Sequence, residues 1–477
     1  MIQGMLWLGC ALALGGCALD PGTPEVTVEI PATYRATPES AAGAWPSAEW
    51  WQGFNSPELD SLIAQGRDGS LDIQAAIARV RQADAQVRVA GAPLLPAVNA
   101  TATDSWSRSY GLKTLKSAGY TESRSLSVGP GISYELDFWG KLRATLDSAE
   151  ASARFSRFDQ QTVALTVVTS VASTWFQALA LQDRIDVANR NLGDADAILS
   201  AIRARQDAGT ASLLDVSQQE ALVAGIRAQI PGLRSQLSQQ MLGLGILVGR
   251  PPEAITVRPG TLNALSLPPA AADVPSALLA RRPDIAAAEA QLDAARANIQ
   301  VARADFFPQV SLSAAGGWQN VGLAALFGPT SLFANAAASA SQAIFDNGQR
   351  AGSLELSRGK YDELLADYRK AVLQAFTDVD IGISTYRLAT EQEVLQRAAV
   401  EVAQRAADIA RAQVLAGTSD IVTALQAQTT LFTDLDALAQ VRLARFQALL
   451  SLYKALGGGW TKSDVTMPAS TIYHGSI

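Results

Sequence analysis

Two kinds of hydrophobic spacing alternate along this chain. From Leu126 to Phe138 the apolar residues Leu126, Val128, Ile132, Tyr134, Leu136 and Phe138 alternate with Ser127, Gly129, Gly131, Ser133, Glu135 and Asp137. Successive strand side chains point to opposite faces, so this spacing predicts a strand with one apolar and one polar face. Pro130 interrupts it, which predicts an edge position or a local bulge. A different period governs residues 141–207 and 349–415, which hold no proline and few glycines. In the second stretch Leu365, Tyr368, Val372, Ala375, Val379, Gly382 and Tyr386 recur at alternating steps of three and four. In the first, Leu165, Val168, Ala172, Trp175 and Leu179 do the same. A 3.5-residue period is the coiled-coil signal. Each stretch predicts a rod of about 100 Å at 1.5 Å rise per residue.

The rods end at Gly209 and Gly417, where a glycine suits a helix C-cap and a reversal. Return helices are expected over 211–248, kinked at Pro231, and 419–457, where Phe432, Leu435, Ala439, Phe446, Leu449, Tyr453 and Leu456 keep the heptad spacing. Ahead of each β stretch lies a helix of about 20 residues, 71–92 and 284–305, closed by a proline. These helices are also similar to each other. Asp72 to Val98 matches Asp284 to Val310 at a constant offset of 212, including Val89 with Val301 and Pro96 with Pro308. Ala208-Gly209-Thr210 is echoed by Ala416-Gly417-Thr418. The chain reads as a duplication.

The expected division is a signal peptide over 1–16, an extended lipidated segment over 17–46, and a first repeat over 47–248. That repeat has a β hairpin near 97–138 and a long helix pair near 140–248. A proline-rich linker follows over 249–275. The second repeat covers 276–460, with a β hairpin near 309–346 and a helix pair near 348–457, before a tail over 461–477.

Composition narrows the function. Charged residues are 17% of the 477, hydrophobic residues 48%, and the net charge is −7. No basic cluster is present, which argues against nucleic acid. Both cysteines, Cys10 and Cys17, fall within the first 20 residues, an apolar run of signal-peptide length. It ends in Leu14-Gly15-Gly16-Cys17, which resembles a lipobox and makes Cys17 the expected lipidated N-terminus. No Lys or Arg precedes the run. No later run of 18 or more apolar residues occurs, so any membrane insertion is expected to use β-structure. Catalysis finds no footing. The only histidine is His474, and there is no metal cluster, cofactor-binding loop or activated nucleophile. Arg281-Arg282-Pro283-Asp284 has a local explanation: Pro283 starts a helix and Asp284 complements its dipole. Trp50 and Trp51 are expected to be packing anchors. Phe306 and Phe307, before the second β stretch, suit either a water–lipid boundary or a packed junction.

Three stretches carry a resemblance: WWQGFNSPELDSLI at 50–63, LLARRPDIAAAEAQLDAARANIQVARADFFPQVSL at 278–312, and LYKALGGGW at 452–460. The chain resembles the TolC-like outer-membrane factors, and within them the lipoprotein branch serving resistance-nodulation-division efflux systems. Its signature residues are Arg281, Arg282, Pro283, Asp284, Phe307 and Pro308. The resemblance implies a mainly α fold with a membrane β-barrel portion. Long coiled-coil helices would form a trimeric α-barrel tunnel, and four strands per protomer a shared twelve-stranded barrel. Two β stretches are too few to close a barrel alone, so oligomerisation also follows from edge satisfaction. The implied partners are a periplasmic adaptor (membrane fusion) protein, an inner-membrane resistance-nodulation-division transporter, and outer-membrane lipid. The implied function is a passive exit duct for drugs or other small toxic molecules, without cofactor. A type I protein secretion conduit, or a non-transporting coiled-coil scaffold or adhesin, are the alternatives.

The resemblance puts the periplasmic gate at the helix tips, 206–214 and 414–422. Some family members carry two aspartates after the second tip, where this chain has Thr423 and Gln426. Asp420 is the nearest acid, with Asp207 and Asp215 flanking the other tip. Asp420 is read either as a helix cap or as a ring of three carboxylates held by cations or by Arg411 or Arg405.

Overall fold

The computed structural model describes residues 30–31, 33–35, 45–114, 117–269 and 275–462. The expected signal peptide, Cys17, His474 and most of both terminal segments lie outside the described residues. After a 3-10 turn at Trp50–Phe54 come α1 (Pro57–Gly69), α2 (Leu71–Gly91), β1 (Ala97–Thr114), β2 (Ser117–Leu136), α3 (Lys141–Asp207) and α4 (Leu213–Val248). The same order then recurs: α5 (Pro275–Leu278), α6 (Pro283–Ala304), β3 (Gln309–Asn320), β4 (Leu332–Ser341), α7 (Gln349–Ala416) and α8 (Ile421–Ala455). The long helices α3 and α7 run 67 and 68 residues, as the proline-free stretches require. Helix α4 continues through Pro231.

Two expectations about β2 need correction. It starts at Ser117 and stops at Leu136, so Phe138 is not part of it. Asp137 leaves the strand because its carboxylate accepts from the backbone N–H groups of Leu142 and Arg143, at 3.0 and 2.9 Å, and so starts α3. A window of α3 is also apolar enough, by length and composition, to cross a membrane. More than half of that window is buried inside the protein, which marks it as core helix.

Two compact units divide the chain, and each draws on both halves of it. One comprises 80–155 and 288–368 among the described residues. It holds a single four-stranded antiparallel sheet in the order β1-β2-β3-β4, so the hairpins of the two halves are joined through β2 and β3. In the same unit, Leu292, Ala295 and Ile299 of α6 pack on Tyr361 and Leu365 of α7.

The other unit comprises the described residues of 28–79, 156–287 and 369–477. Its core is aromatic. Trp50 stacks on Tyr453 with centroids 4.9 Å apart, and Phe54, Phe176 and Phe446 meet edge to face or tilted at 4.9–5.9 Å. Trp50 and Trp51 are both buried, as packing anchors should be. The heptad positions Val372, Ala375 and Val379 of α7, with Ala172, Trp175 and Leu179 of α3, are all buried here.

Candidate functional site

The register of the sheet sorts its side chains into two faces. Ile132 pairs with Val98 on one side and Ala314 on the other, and Ala314 pairs with Ala336. Tyr134, Leu312 and Ala338 form the next row, and Val128, Ala102, Trp318 and Leu332 a further one. The rows from Val128 to Leu136 on this face are apolar, and the Leu126 row, with Asp104 and Asn320 as partners, closes it. The opposite face carries Thr101, Ser127, Ser133, Ser311, Ser313, Gln319, Asn335 and Ser339. The apolar face extends along β2 from Leu126 to Leu136, eleven residues, which is the length a tilted strand needs to span a bilayer core.

Pro130 sits in an inner strand, which rules out the edge position that was one of the two readings from sequence and leaves the other, a local irregularity. It pairs with Ala100 in β1, but the β2–β3 ladder lapses at Gly129 and Pro130. Opposite the lapse are Gly316 and Gly317, the latter at φ 153°. A Cβ on Gly129 would lie 2.0 Å from the Gly316 carbonyl oxygen, so only glycine permits this approach. At the end of the sheet leading into the helices, Trp139 stacks on Phe307 at 4.7 Å and donates its indole N–H to the Pro308 carbonyl at 2.8 Å. Lys141 pairs with Asp305 at 2.7 Å. Phe307 and Pro308 therefore build a packed helix–strand junction, while Phe306 is exposed beneath the Arg350 guanidinium.

The remaining signature residues belong to the helical unit. Arg282 is buried and donates to both carboxylate oxygens of Asp284 (3.0 and 2.6 Å), to Asp378 of α7 (3.2 Å) and to the Ala455 carbonyl at the end of α8 (3.1 Å). Burial works against its charge, but Asp284 and Asp378 outweigh it and hold its pKa above the ordinary arginine value. Pro283 opens α6 beside it. The Arg281 guanidinium lies over the Trp45 ring. Its carbonyl oxygen would be 1.9 Å from a Cβ on Gly457. Gly457, Gly458 and Gly459 all have positive φ, which only glycine adopts freely. The Arg-Arg-Pro-Asp and Leu-Gly-Gly-Gly-Trp stretches are thus two sides of one contact.

Both helix tips close in the same way. Gly209 and Gly417 each have φ 75°. The N–H of Thr210 reaches back to the Arg205 carbonyl at 2.8 Å, and that of Thr418 to Gln413 at 2.9 Å. This six-to-one bond, with the glycine amide bonding three residues back, is the Schellman closure. It explains the repeated Ala-Gly-Thr. Beyond it the tips differ. Ser212 and Asp215 exchange side chain–backbone bonds at 2.8 and 3.1 Å, a full capping box. The second tip has only Asp420, which accepts from Val422 N–H at 3.4 Å. Asp207 and Asp420 are exposed, and so are Thr423 and Gln426, on the side of α8 away from the buried Ile421 and Ala424. Among the described residues none of Asp207, Asp215 and Asp420 forms an ion pair. Arg411, expected with Arg405 as a candidate bridge to Asp420 in the assembled entrance, pairs with Asp194 of α3 at 3.2 Å within the chain.

Sequence reasoning missed Arg205. Its guanidinium donates to the Val414 carbonyl at 2.7 Å, joining the end of α3 to the end of α7. Glu393 was missed as well. It is buried, yet it accepts from Arg397, Arg442 and Arg445 at 3.0–3.1 Å. Burial pushes its carboxyl up, but the three guanidinium hydrogen bonds outweigh this and hold it below the ordinary glutamate value. No group of side chains suited to a metal ion occurs among the described residues.

The sheet has one apolar and one hydrophilic face and leads in sequence into the long helices, and comparison with known proteins shows which family has this arrangement. The sequence profile described as outer membrane efflux protein matches residues 62–250 and 274–458. The chain belongs to the outer membrane efflux protein family. It is 39% identical to the pyoverdine export outer membrane protein OpmQ of Pseudomonas aeruginosa, over 95% of this chain and 96% of that one. It is 32% identical to the toluene efflux pump outer membrane protein TtgC of Pseudomonas putida, with 94% of each chain covered. Among solved structures, the outer-membrane channel OprN superposes with a TM-score of 0.85 at 28% identity, covering 92% of this chain and 98% of that one. This efflux family member is an outer-membrane channel subunit. Its fold class is the one expected from sequence, mainly helical with a β-barrel portion.

Proposed function

We propose that three copies of this outer membrane efflux protein close a twelve-stranded barrel, which serves as the outer exit of a tripartite pump. The carrying observation is the four-stranded sheet. Its apolar face suits lipid and its serine-rich face an aqueous lumen, while β1 and β4 each keep one unpaired edge. A periplasmic adaptor and an inner-membrane resistance-nodulation-division transporter supply the cargo and the energy. The cargo is a small molecule, and the similarity to OpmQ makes pyoverdine the first compound to test. Cys17, outside the described residues, carries the lipid anchor.

The entrance is gated at the tips. Arg205 staples the α3 tip to the α7 terminus, and Asp420, Asp207 and Asp215 give the mouth its negative charge. Asp420 serves first as the cap of α8, and its exposed carboxylate is what three copies would bring together. Recording single channels in planar bilayers tests this reading. Wild type should conduct as a trimer and be blocked by divalent cations added on the periplasmic side, and Asp420→Asn should lose most of the block. Absence of conductance would refute the duct. Unchanged block in Asp420→Asn would restrict that residue to capping.

A further inference from the structure

The β1–β2 hairpin continues well past the rest of the sheet. The last β2–β3 pair is Leu126 with Asn320, but β1 and β2 remain paired from Ser105–Ser125 to Thr114–Ser117. At about 3.4 Å per residue this two-stranded ribbon projects roughly 30 Å beyond the four-stranded region. The eleven-residue apolar face ends where the ribbon begins, so the first rows of the ribbon fall at headgroup level if that face spans the bilayer core.

The face that is wholly apolar below Leu126 changes character there. Its next rows are Trp106 opposite Arg124, Arg108 opposite Glu122, and Tyr110 opposite Tyr120. The three rings are 63%, 75% and 53% exposed; Arg108 lies against one face of Trp106 and of Tyr120, and much of the remaining ring surface is open to solvent. The Arg108 guanidinium lies 4.4 Å from the Tyr120 centroid and 5.6 Å from that of Trp106, and it donates through Nε and Nη2 to Glu122. Arg124 donates through Nε and Nη2 to Asp104, at 3.0 and 2.6 Å. Each arginine spends one edge of its fork, so the Nη1 edge of both stays available as a donor. The opposite face of the ribbon carries serine and threonine and bonds partly within itself, with Ser107 and Ser123 hydroxyls 2.7 Å apart and Ser105 donating to the Ser125 carbonyl.

We propose that the outward face of this ribbon binds the sugar-phosphate headgroup of an outer-leaflet glycolipid. The chemistry selects that occupant. Flat aromatic faces stack on the C–H faces of sugar rings. Free guanidinium edges take phosphate oxygens. The carboxylates of Asp104 and Glu122 keep acceptor lone pairs for sugar hydroxyls. A simple phospholipid headgroup would use the arginines and leave the rings and carboxylates idle. The face also runs without a break into the apolar face below it, so a bound headgroup would have its acyl chains on Leu126, Val128 and Trp318.

The inference rests on the reading of the sheet as a membrane span, and the test separates the two. Purified full-length trimer is reconstituted into phosphatidylethanolamine vesicles containing either lipid A or phosphatidylglycerol, and lipid retained after detergent extraction is counted by native mass spectrometry. Lipid A should be retained about tenfold over phosphatidylglycerol, and the double variant Arg108→Gln, Arg124→Gln should abolish that preference with conductance unchanged. Hydrogen exchange on the wild-type protein gives a second readout that needs no variant: lipid A, and not phosphatidylglycerol, should protect residues 104–110 and 120–126. Normal insertion with equal retention of both lipids and no selective protection would overturn the glycolipid site and assign the ribbon's pairs to register alone. Failure to insert into either vesicle would overturn the membrane-spanning sheet, and the site with it.

Discussion

Single residues with many partners carry disproportionate weight in this channel subunit. Arg282 binds Asp284, Asp378 and the last turn of α8, so Arg282→Ala strands two carboxylates and a carbonyl. The carboxylates keep about a third of their surface exposed. The loss should therefore be about 2–3 kcal/mol, below the roughly 3–5 of a fully buried pair. Thermal unfolding of the purified protein measures it. Arg282→Lys should recover only part of the loss, because an ammonium cannot span the same donors. Glu393 gives a dependence on pH. Its carboxyl titrates below the ordinary value of 4.5, so its contribution is complete above that value and is lost as pH falls through the lower, folded one. Glu393→Gln should be clearly less stable near neutral pH, and the gap to wild type should narrow under acid. A constant gap in thermal melts down the acid limb would show that charge is not what Glu393 supplies. Of these residues, the cap role of Asp420 was readable from sequence, since an aspartate just past Gly-Thr-Ser is a local signal. The Arg205–Val414 staple was not, because its partners are 209 positions apart and one of them is a backbone carbonyl.

At the level of elements, legibility follows the range of the forces involved. Helices α3 and α7 fall within a residue of where heptad spacing and the lack of proline put them, because those signals are local. The sheet was less legible. The alternation over 126–136 identified the faces, but the inner position of β2 depends on β3, which follows almost 200 residues later. The tolerance of Pro130 there depends on Gly316 and Gly317. Two substitutions test this architecture. Ile132→Arg, in an apolar row, should cost about 2–4 kcal/mol and lower trimer yield in outer membranes, whereas Ser133→Arg, on the hydrophilic face, should be tolerated and alter conductance. Equal loss from both would contradict the assignment of faces. Gly129→Ala should separate β2 from β3 locally, because its Cβ meets the Gly316 carbonyl. Heat-resistant trimer on gels should fall for Gly129→Ala and stay near wild type for Gly131→Ala, whose added Cβ meets nothing closer than 3.9 Å.

For the whole molecule, duplication has made two halves that share an order of elements yet differ in detail where function would need it. Both tips end in the same Schellman closure, but only the first has a capping box. A helix start held by a single 3.4 Å bond frays more readily than one with reciprocal bonds. Amide exchange at the start of α8 should therefore outpace exchange at the start of α4. The staple from Arg205 acts at the same place, and Arg205→Ala should raise the open probability of reconstituted channels without changing the conductance of the open state.

The edge strand β4 also bears on how the protein reaches its destination. Its sequence, Leu332-Phe-Ala-Asn-Ala-Ala-Ala-Ser-Ala-Ser341, has no charge and no proline, and it pairs with β3 without a bulge. Natural sheets protect exposed edges with those devices, so this strand is a template for any extended chain until its proper neighbour arrives. Three such templates must find three β1 edges, and the wrong pairings compete at every encounter. Biogenesis is then a race against aggregation whose odds worsen with concentration, and the time between secretion and barrel closure becomes the vulnerable period in the life of the chain. Refolding into vesicles should lose yield steeply as protein concentration rises, and a lysine placed at Ala337 should flatten that loss.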